Sequence, residues 1–145
     1  MLKTYMVYLL GLFMLLSCKA QEFTPDTFPK DQLIFGTGGG ITGHEKTYTL
    51  LANGQVFFMN SLTKKLESLG KADKKLVKAA FQQAKTHKIL DVDYQKPGNL
   101  YRFLAYKSDS KNNRITWAEG SKTVPPAIKT IYNQLLSLIP KKSSK

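Results

Sequence analysis

Acidic residues, sulfur and imidazole are scarce in this chain. Its 145 residues include ten carboxylates against 22 lysines and arginines, two histidines, one tryptophan and a single cysteine, Cys18. One cysteine cannot form an internal disulfide, so the fold must rest on its core. His44 and His87, with no second cysteine, make no credible ligand set for zinc or another transition metal. His44-Glu45-Lys46-Thr47-Tyr48 begins like the zinc-peptidase helix motif, but it lacks the second histidine and has β-prone neighbours. Ser-x-x-Lys occurs at Ser61–Lys64, Ser68–Lys71 and Ser108–Lys111, as a lysine-rich chain yields by chance. The Ser-Asp-Asn and Lys-Thr-Gly elements that accompany a serine acyl-transfer site are missing, and so is Gly-x-Ser-x-Gly. Asp91 and Asp93 are near in sequence, but nothing sets two carboxylates across a cleft as glycoside hydrolysis requires. These gaps point away from an enzyme, a metal and a cofactor.

Long apolar runs are also missing. A spanning helix needs about 20 apolar residues, and the uncharged stretch Tyr5–Leu16 falls short. Lys3 precedes it and Leu15-Leu16-Ser17-Cys18 closes it, which gives the three parts of an export signal. The closing tetrapeptide resembles the bacterial lipobox, with Leu15 at −3, Ser17 at −1 and Cys18 at +1. Leu16 at −2 departs from the usual small residue. The resemblance implies that Cys18 carries a diacylglyceryl thioether after removal of residues 1–17. A plain secretory signal with a chance cysteine, or a short membrane anchor, is the alternative. Two or three acyl chains on one residue make a durable anchor, since each buried CH₂ contributes about 0.8 kcal/mol. The address this implies is the bacterial envelope, at the outer membrane in preference to the inner, with the domain in the periplasm or at the cell surface.

The formal charge is +12, and the signal contributes only Lys3 to it. A charge of this size suits nucleic acid, anionic lipid or an acidic partner. An envelope address removes nucleic acid and favours a phosphate-bearing membrane or glycan surface. Plain solubility is the simpler explanation.

Residues 18–30, with Pro25, Pro29 and no periodicity, read as a lipidated N-terminus and tether. A single domain is expected over 31–140, with a basic tail at 141–145. Gln32–Phe35, Thr47–Leu51 and Val56–Met59 read as strands, the last two joined by an Asn53-Gly54 turn whose residues favour positive φ. Lys64–Leu69 extends this meander. A helix follows Asp73, with Leu76, Val77, Ala80, Phe81 and Ala84 on one face and Lys71, Lys75, Lys78 and Lys85 opposite. Leu100–Lys107 and Arg114–Ala118 alternate as strands. Pro125-Pro126 opens a last helix whose apolar face is Ile128, Ile131, Tyr132, Leu135, Leu136 and Ile139. The order predicts an α+β domain, a mostly antiparallel sheet with two helices packed on one face.

Three features are candidates for function. Gly36-Thr37-Gly38-Gly39-Gly40-Ile41-Thr42-Gly43 is too poor in context for a nucleotide loop, because a strand follows it where a Rossmann loop needs a helix. It reads as a tight connection or bulge, or else as an anion nest or partner-contacting loop, with Gly38, Gly39, Gly40, Gly43 and His44 as its contact residues. The lysine face of the first helix suits an anionic surface, or is an ordinary solvated face. Arg102, Arg114 and Trp117, with Tyr101 and Tyr106, form a recognition surface if the two late strands pair. The alternative there is a core tryptophan beside edge arginines.

The domain resembles emfourin, a small α+β family that inhibits thermolysin-type metallopeptidases. The likeness rests on Gly39-Gly40-Ile41-Thr42-Gly43 leading into a strand and on Val124-Pro125-Pro126 leading into the last helix. Between them lie the hairpin, the central helix and the strand pair in matching order, over about residues 34–138. The chain is also similar to small envelope lipoproteins with a Gly-Gly-Gly loop. The emfourin resemblance implies a peptidase as partner and transfers no inhibitory residue. The expectation is therefore a non-catalytic binding or inhibitory module anchored to a membrane, whose contacts are Gly38, Gly39, Gly40, Gly43, His44, Tyr101, Arg102 and Trp117. The alternatives are an electrostatic binder of anionic lipid or glycan, and a small enzyme of unknown type.

Overall fold

The computed structural model describes residues 21–141, so Cys18 and the expected export signal lie outside the described residues. Strands β1 (Gln32–Gly39), β2 (His44–Leu51), β3 (Gln55–Asn60) and β4 (Leu66–Lys71) form a meander. Helix α1 (Lys74–Thr86) follows, then a 3-10 turn at Ile89–Asp91 and the short β5 (Gln95–Lys96). Strands β6 (Leu100–Lys107) and β7 (Asn112–Ala118) form a hairpin, and α2 (Pro126–Ser137) closes the domain. The sheet order is β4-β3-β2-β1-β6-β7-β5, antiparallel throughout except at the parallel β5–β7 pair. Both helices pack on one face, so the α+β architecture is as the sequence predicts.

Period-two alternation decides which side chains meet the helices. Leu33, Phe35, Leu50, Val56, Leu104, Tyr106, Ile115 and Trp117 point to that side. They pack against Val77, Ala80, Phe81 and Ala84 of α1 and Ile128, Ile131, Tyr132 and Leu135 of α2. Full burial of each large one contributes about 1.5–3 kcal/mol. Asp73 caps α1 by accepting the Leu76 N–H at 3.0 Å. Leu76 and Leu136, expected on the apolar faces, are 49% and 37% exposed. The smaller Ala80 and Ala84 bring α1 close to the sheet and leave Leu76 off the contact.

The sheet has two distinct ends. The basal end carries the β2–β3 turn, the starts of β1 and β7 and the ends of β4 and β6. The apical end carries the β1–β2 and β3–β4 turns, the start of β6 and the end of β7. Helix α1 crosses the basal end. At its start the Ala72 N–H donates to the Gly54 carbonyl at 2.9 Å. At its finish Ala84, Lys85 and Ile89 line a cavity of about 380 Å³ with Asp31, Tyr106 and Ser108. Helix α2 lies over the other half, where Tyr132 packs edge-on against Phe35 and Trp117 with ring centroids 6.4 and 5.2 Å away.

Four expectations need correction. The glycine run is not wholly a connection, because Gly36 to Gly39 belong to β1 and only residues 40–43 turn. Lys71 ends β4 instead of lying on the helix, and it pairs with Glu22 at 2.9 Å. In the Asn53-Gly54 turn only Gly54 takes a positive φ, +95°. The segment expected to be a tether is docked from Gln21 onward. The Phe23 N–H donates to Gln55 Oε1 at 2.7 Å, and Asn53 Nδ2 donates to the Gln21 carbonyl at 2.7 Å. The Phe28 ring packs on Phe57 at 4.7 Å. These residues lie on the face opposite the helices, where Leu51 and Phe57 are buried.

Candidate binding surface at the glycine turn

Gly36 and Gly38 sit on the face opposite the helices, each between a β2 and a β6 neighbour. Gly36 pairs with Thr47 and Phe103, and Gly38 with Glu45 and Tyr101. Without side chains of its own there, β1 lets the two aromatic rings of β6 lie across it. A Cβ at Gly38 would come within 2.5–2.8 Å of three atoms of the Tyr101 phenol, and one at Gly36 would run into the Lys46 carbonyl. This is the physical reason for a glycine-rich strand, and the covering rings replace the packing that glycine cannot supply.

The same bare strip lets charges reach over β1. Arg114 of β7 lies on the Phe103 ring, 3.8 Å from its centroid. From there it donates to both carboxylate oxygens of Glu45 on β2, at 2.7 and 3.3 Å. Glu45 also accepts from the Tyr101 hydroxyl at 3.0 Å and from Thr47 at 3.2 Å. Burial pushes the Glu45 carboxyl up, but the hydrogen bonds and charge of Arg114, with the two hydroxyls, outweigh it and hold the carboxyl below its usual range. Burial first and Glu45 second push the Tyr101 phenol above its usual range, so it remains a donor.

At the apical end the chain turns through Gly40-Ile41-Thr42-Gly43. Gly39, Gly40 and Gly43 have φ of +101°, +77° and +59°, values that favour glycine. The Gly40 N–H donates to the Asn99 carbonyl at 2.8 Å, and the Gly43 N–H to the Gly40 carbonyl at 3.0 Å. Thr42 and His44 share a hydrogen bond of 2.8 Å, between Oγ1 and Nδ1. The turn is thus held by backbone, and it presents Ile41 wholly to solvent, at 107% relative exposure. Leu100 stands beside Gly40, and the neighbouring β3–β4 turn, tied to β2 by the Ser61 N–H and the Glu45 carbonyl at 2.9 Å, presents Leu62. These leucines are 51% and 63% exposed. Below the turn, His44, Lys46, Thr37 and Glu119 help line a hollow of about 220 Å³.

The structure therefore divides the predicted contact residues. Gly38, Gly39, Gly40, Gly43, His44 and Tyr101 gather at one end of the sheet. Arg102 and Trp117 project from the helix-bearing face, where Trp117 is 2% exposed and serves the core. Arg102 stacks over Tyr132 at 5.7 Å and pairs with Glu119 at 3.0 Å. Tyr132 in turn donates to the Gly36 carbonyl at 3.1 Å, and burial pushes its phenol up to about 12. Arg102 and Arg114 thus serve opposite faces, and Trp117, though buried, lines with Arg102 and Tyr132 a hollow of about 190 Å³ on the helix-bearing face. Sequence reasoning missed Glu45 as the centre of the network and Ile41, Leu62 and Leu100 as exposed apolar tips. Alternate glycines at 36 and 38, matched by alternate aromatics at 101 and 103, were the available signal for the network. Compared with protein-family models and with curated proteins, the sequence matches none.

Proposed function

We propose that this chain is a lipid-anchored, non-catalytic binding or inhibitory module of the bacterial envelope, and that it holds a protein partner through its apical end. The observation that carries this reading is Ile41, a β-branched apolar side chain fully in water on a turn clamped by glycine geometry. Such a turn loses little freedom on binding, so the burial of Ile41, Leu100 and Leu62 converts more fully into affinity. An apolar side chain of this kind contributes about 1.5–3 kcal/mol when fully buried. The polar groups nearby support a binding role, since Glu45 is engaged with Arg114, Tyr101 and Thr47, and Arg102 with Glu119. The resemblance to emfourin makes a metallopeptidase the partner class to try first.

Ile41→Asp tests this without touching the fold, because Ile41 packs on nothing. Capture from detergent-solubilised envelope should lose a partner that the wild-type protein retains, with an unchanged melting curve. A thermolysin-type peptidase inhibited by the wild-type chain should be released by the same variant. Retention of every partner by Ile41→Asp excludes the turn as the contact. Substitution of Gly39 would answer less well, because a Cβ there runs into the Asn99 carbonyl and disturbs the strand.

A further inference from the structure

The geometry points to an orientation: we propose that the basal end of the domain rests on an anionic phospholipid surface, with the glycine turn directed away from it. This deepens the reading above and rests on its Cys18 anchor. Three residues carry the chain from Cys18 to Gln21. An extended chain spans at most about 3.3–3.6 Å per residue, which places Gln21 within roughly 11 Å of the lipidated residue. From Gln21 on, the chain is fastened to the domain. Asn53 of the β2–β3 turn holds Gln21, Lys71 holds Glu22, and Gln55 holds Phe23. All three partners stand at the basal end, so an anchor at Cys18 brings that end to the bilayer.

The charge of the basal end fits the surface it meets. Helix α1 crosses there, exposing Lys74, Lys75, Lys78 and Lys85, and Lys88 follows it. Among the described residues none of these five is in an ion pair. The acids of the same end are largely committed elsewhere. Glu22 pairs with Lys71, Asp91 with Lys111 and Asp109 with Lys30, while Asp73 caps α1. Asp31 lies in the cavity that Lys85 and Lys88 also line. Asp93 is exposed and in no ion pair among the described residues, and the α1 lysines outnumber it. Near an anionic leaflet each is attracted to the lipid phosphates, within a screening length of about 8 Å at physiological salt. Strand β1 separates the two ends by eight residues. At about 3.3 Å per residue this sets Ile41 roughly 25 Å from the basal surface, clear of the headgroups and free for a partner.

The test uses the full chain, processed in a bacterium that acylates lipoproteins and reconstituted into nanodiscs of zwitterionic lipid with or without phosphatidylglycerol. Intact mass first shows whether Cys18 carries acyl chains. Hydrogen exchange then compares peptides over 52–54 and 71–79 with those over 40–43 and 61–64. The expected result is severalfold slower exchange in the first pair on anionic discs, and none in the second pair. This protection should vanish in about 1 M salt, where the screening length falls to about 3 Å. It should also vanish in Lys75→Glu/Lys78→Glu, whose positions face solvent and leave the core intact. An acylated protein with protection at 40–43, or with none at either end, overturns the orientation and leaves the anchor standing. An unmodified Cys18 overturns the anchor, and the orientation with it.

Discussion

Glu45 concentrates the chemistry of the open face at one residue. It stands on β2, yet its partners come from β6 and β7, and the bridge exists because Gly36 and Gly38 leave β1 bare between them. Its carboxyl is held below the usual range, so its contribution to stability is complete above the unfolded value near 4.5 and is lost as pH falls through the lower folded value. Glu45→Gln keeps the shape and removes the charge. The pair is partly exposed, at 41% for Arg114 and 24% for Glu45, so the expected cost at neutral pH is modest, about 1 kcal/mol after screening. Urea denaturation on both sides of pH 4.5 should show that deficit above it and a shrinking difference below it. A deficit that persists undiminished in acid would contradict the ion-pair account.

The elements were legible where periodicity was strong. The alternation at Leu100–Lys107 and Arg114–Ala118 marked the late strands, though Phe103 and Ala105 are buried as well as Leu104 and Tyr106, and Val77, Ala80, Phe81 and Ala84 gave the buried side of α1. The β1 strand was only half legible, because glycine has low strand propensity and its support comes from Tyr101 and Phe103, distant in sequence. Arg102 and Trp117 could be placed on one side by alternation, but only Tyr132 of α2 shows that this side is covered at Trp117. The docking of residues 21–30 was hidden for a similar reason. Its signal is Phe23 and Phe28 among prolines, and their partners Gln55 and Phe57 lie on the far side of a hairpin. Phe28→Ala tests that element. A full core Phe→Ala change costs about 3–5 kcal/mol. For this half-buried ring a loss of about 1–2 kcal/mol is expected in chemical denaturation, with faster exchange at the Phe23 amide. A variant indistinguishable from wild type in both would return the segment to the status of a free tether.

The whole molecule has a polarity that neither charge nor composition shows alone. The chain carries a net charge of +12. The α1 lysines border the end from which the N-terminal chain departs, while the exposed apolar tips Ile41, Leu62 and Leu100 gather at the other. On the proposed reading, the lone cysteine, the docked N-terminal segment, the basic helix and the glycine turn serve one arrangement, a module fixed to a membrane and presenting a preorganised apolar tip. Photo-crosslinking in intact cells tests this most directly, with a photoreactive amino acid at position 41 in one variant and at position 75 in another. The account predicts a discrete protein adduct from position 41 and a phospholipid adduct from position 75. Lipid adducts from position 41, or protein adducts from position 75 alone, would contradict it.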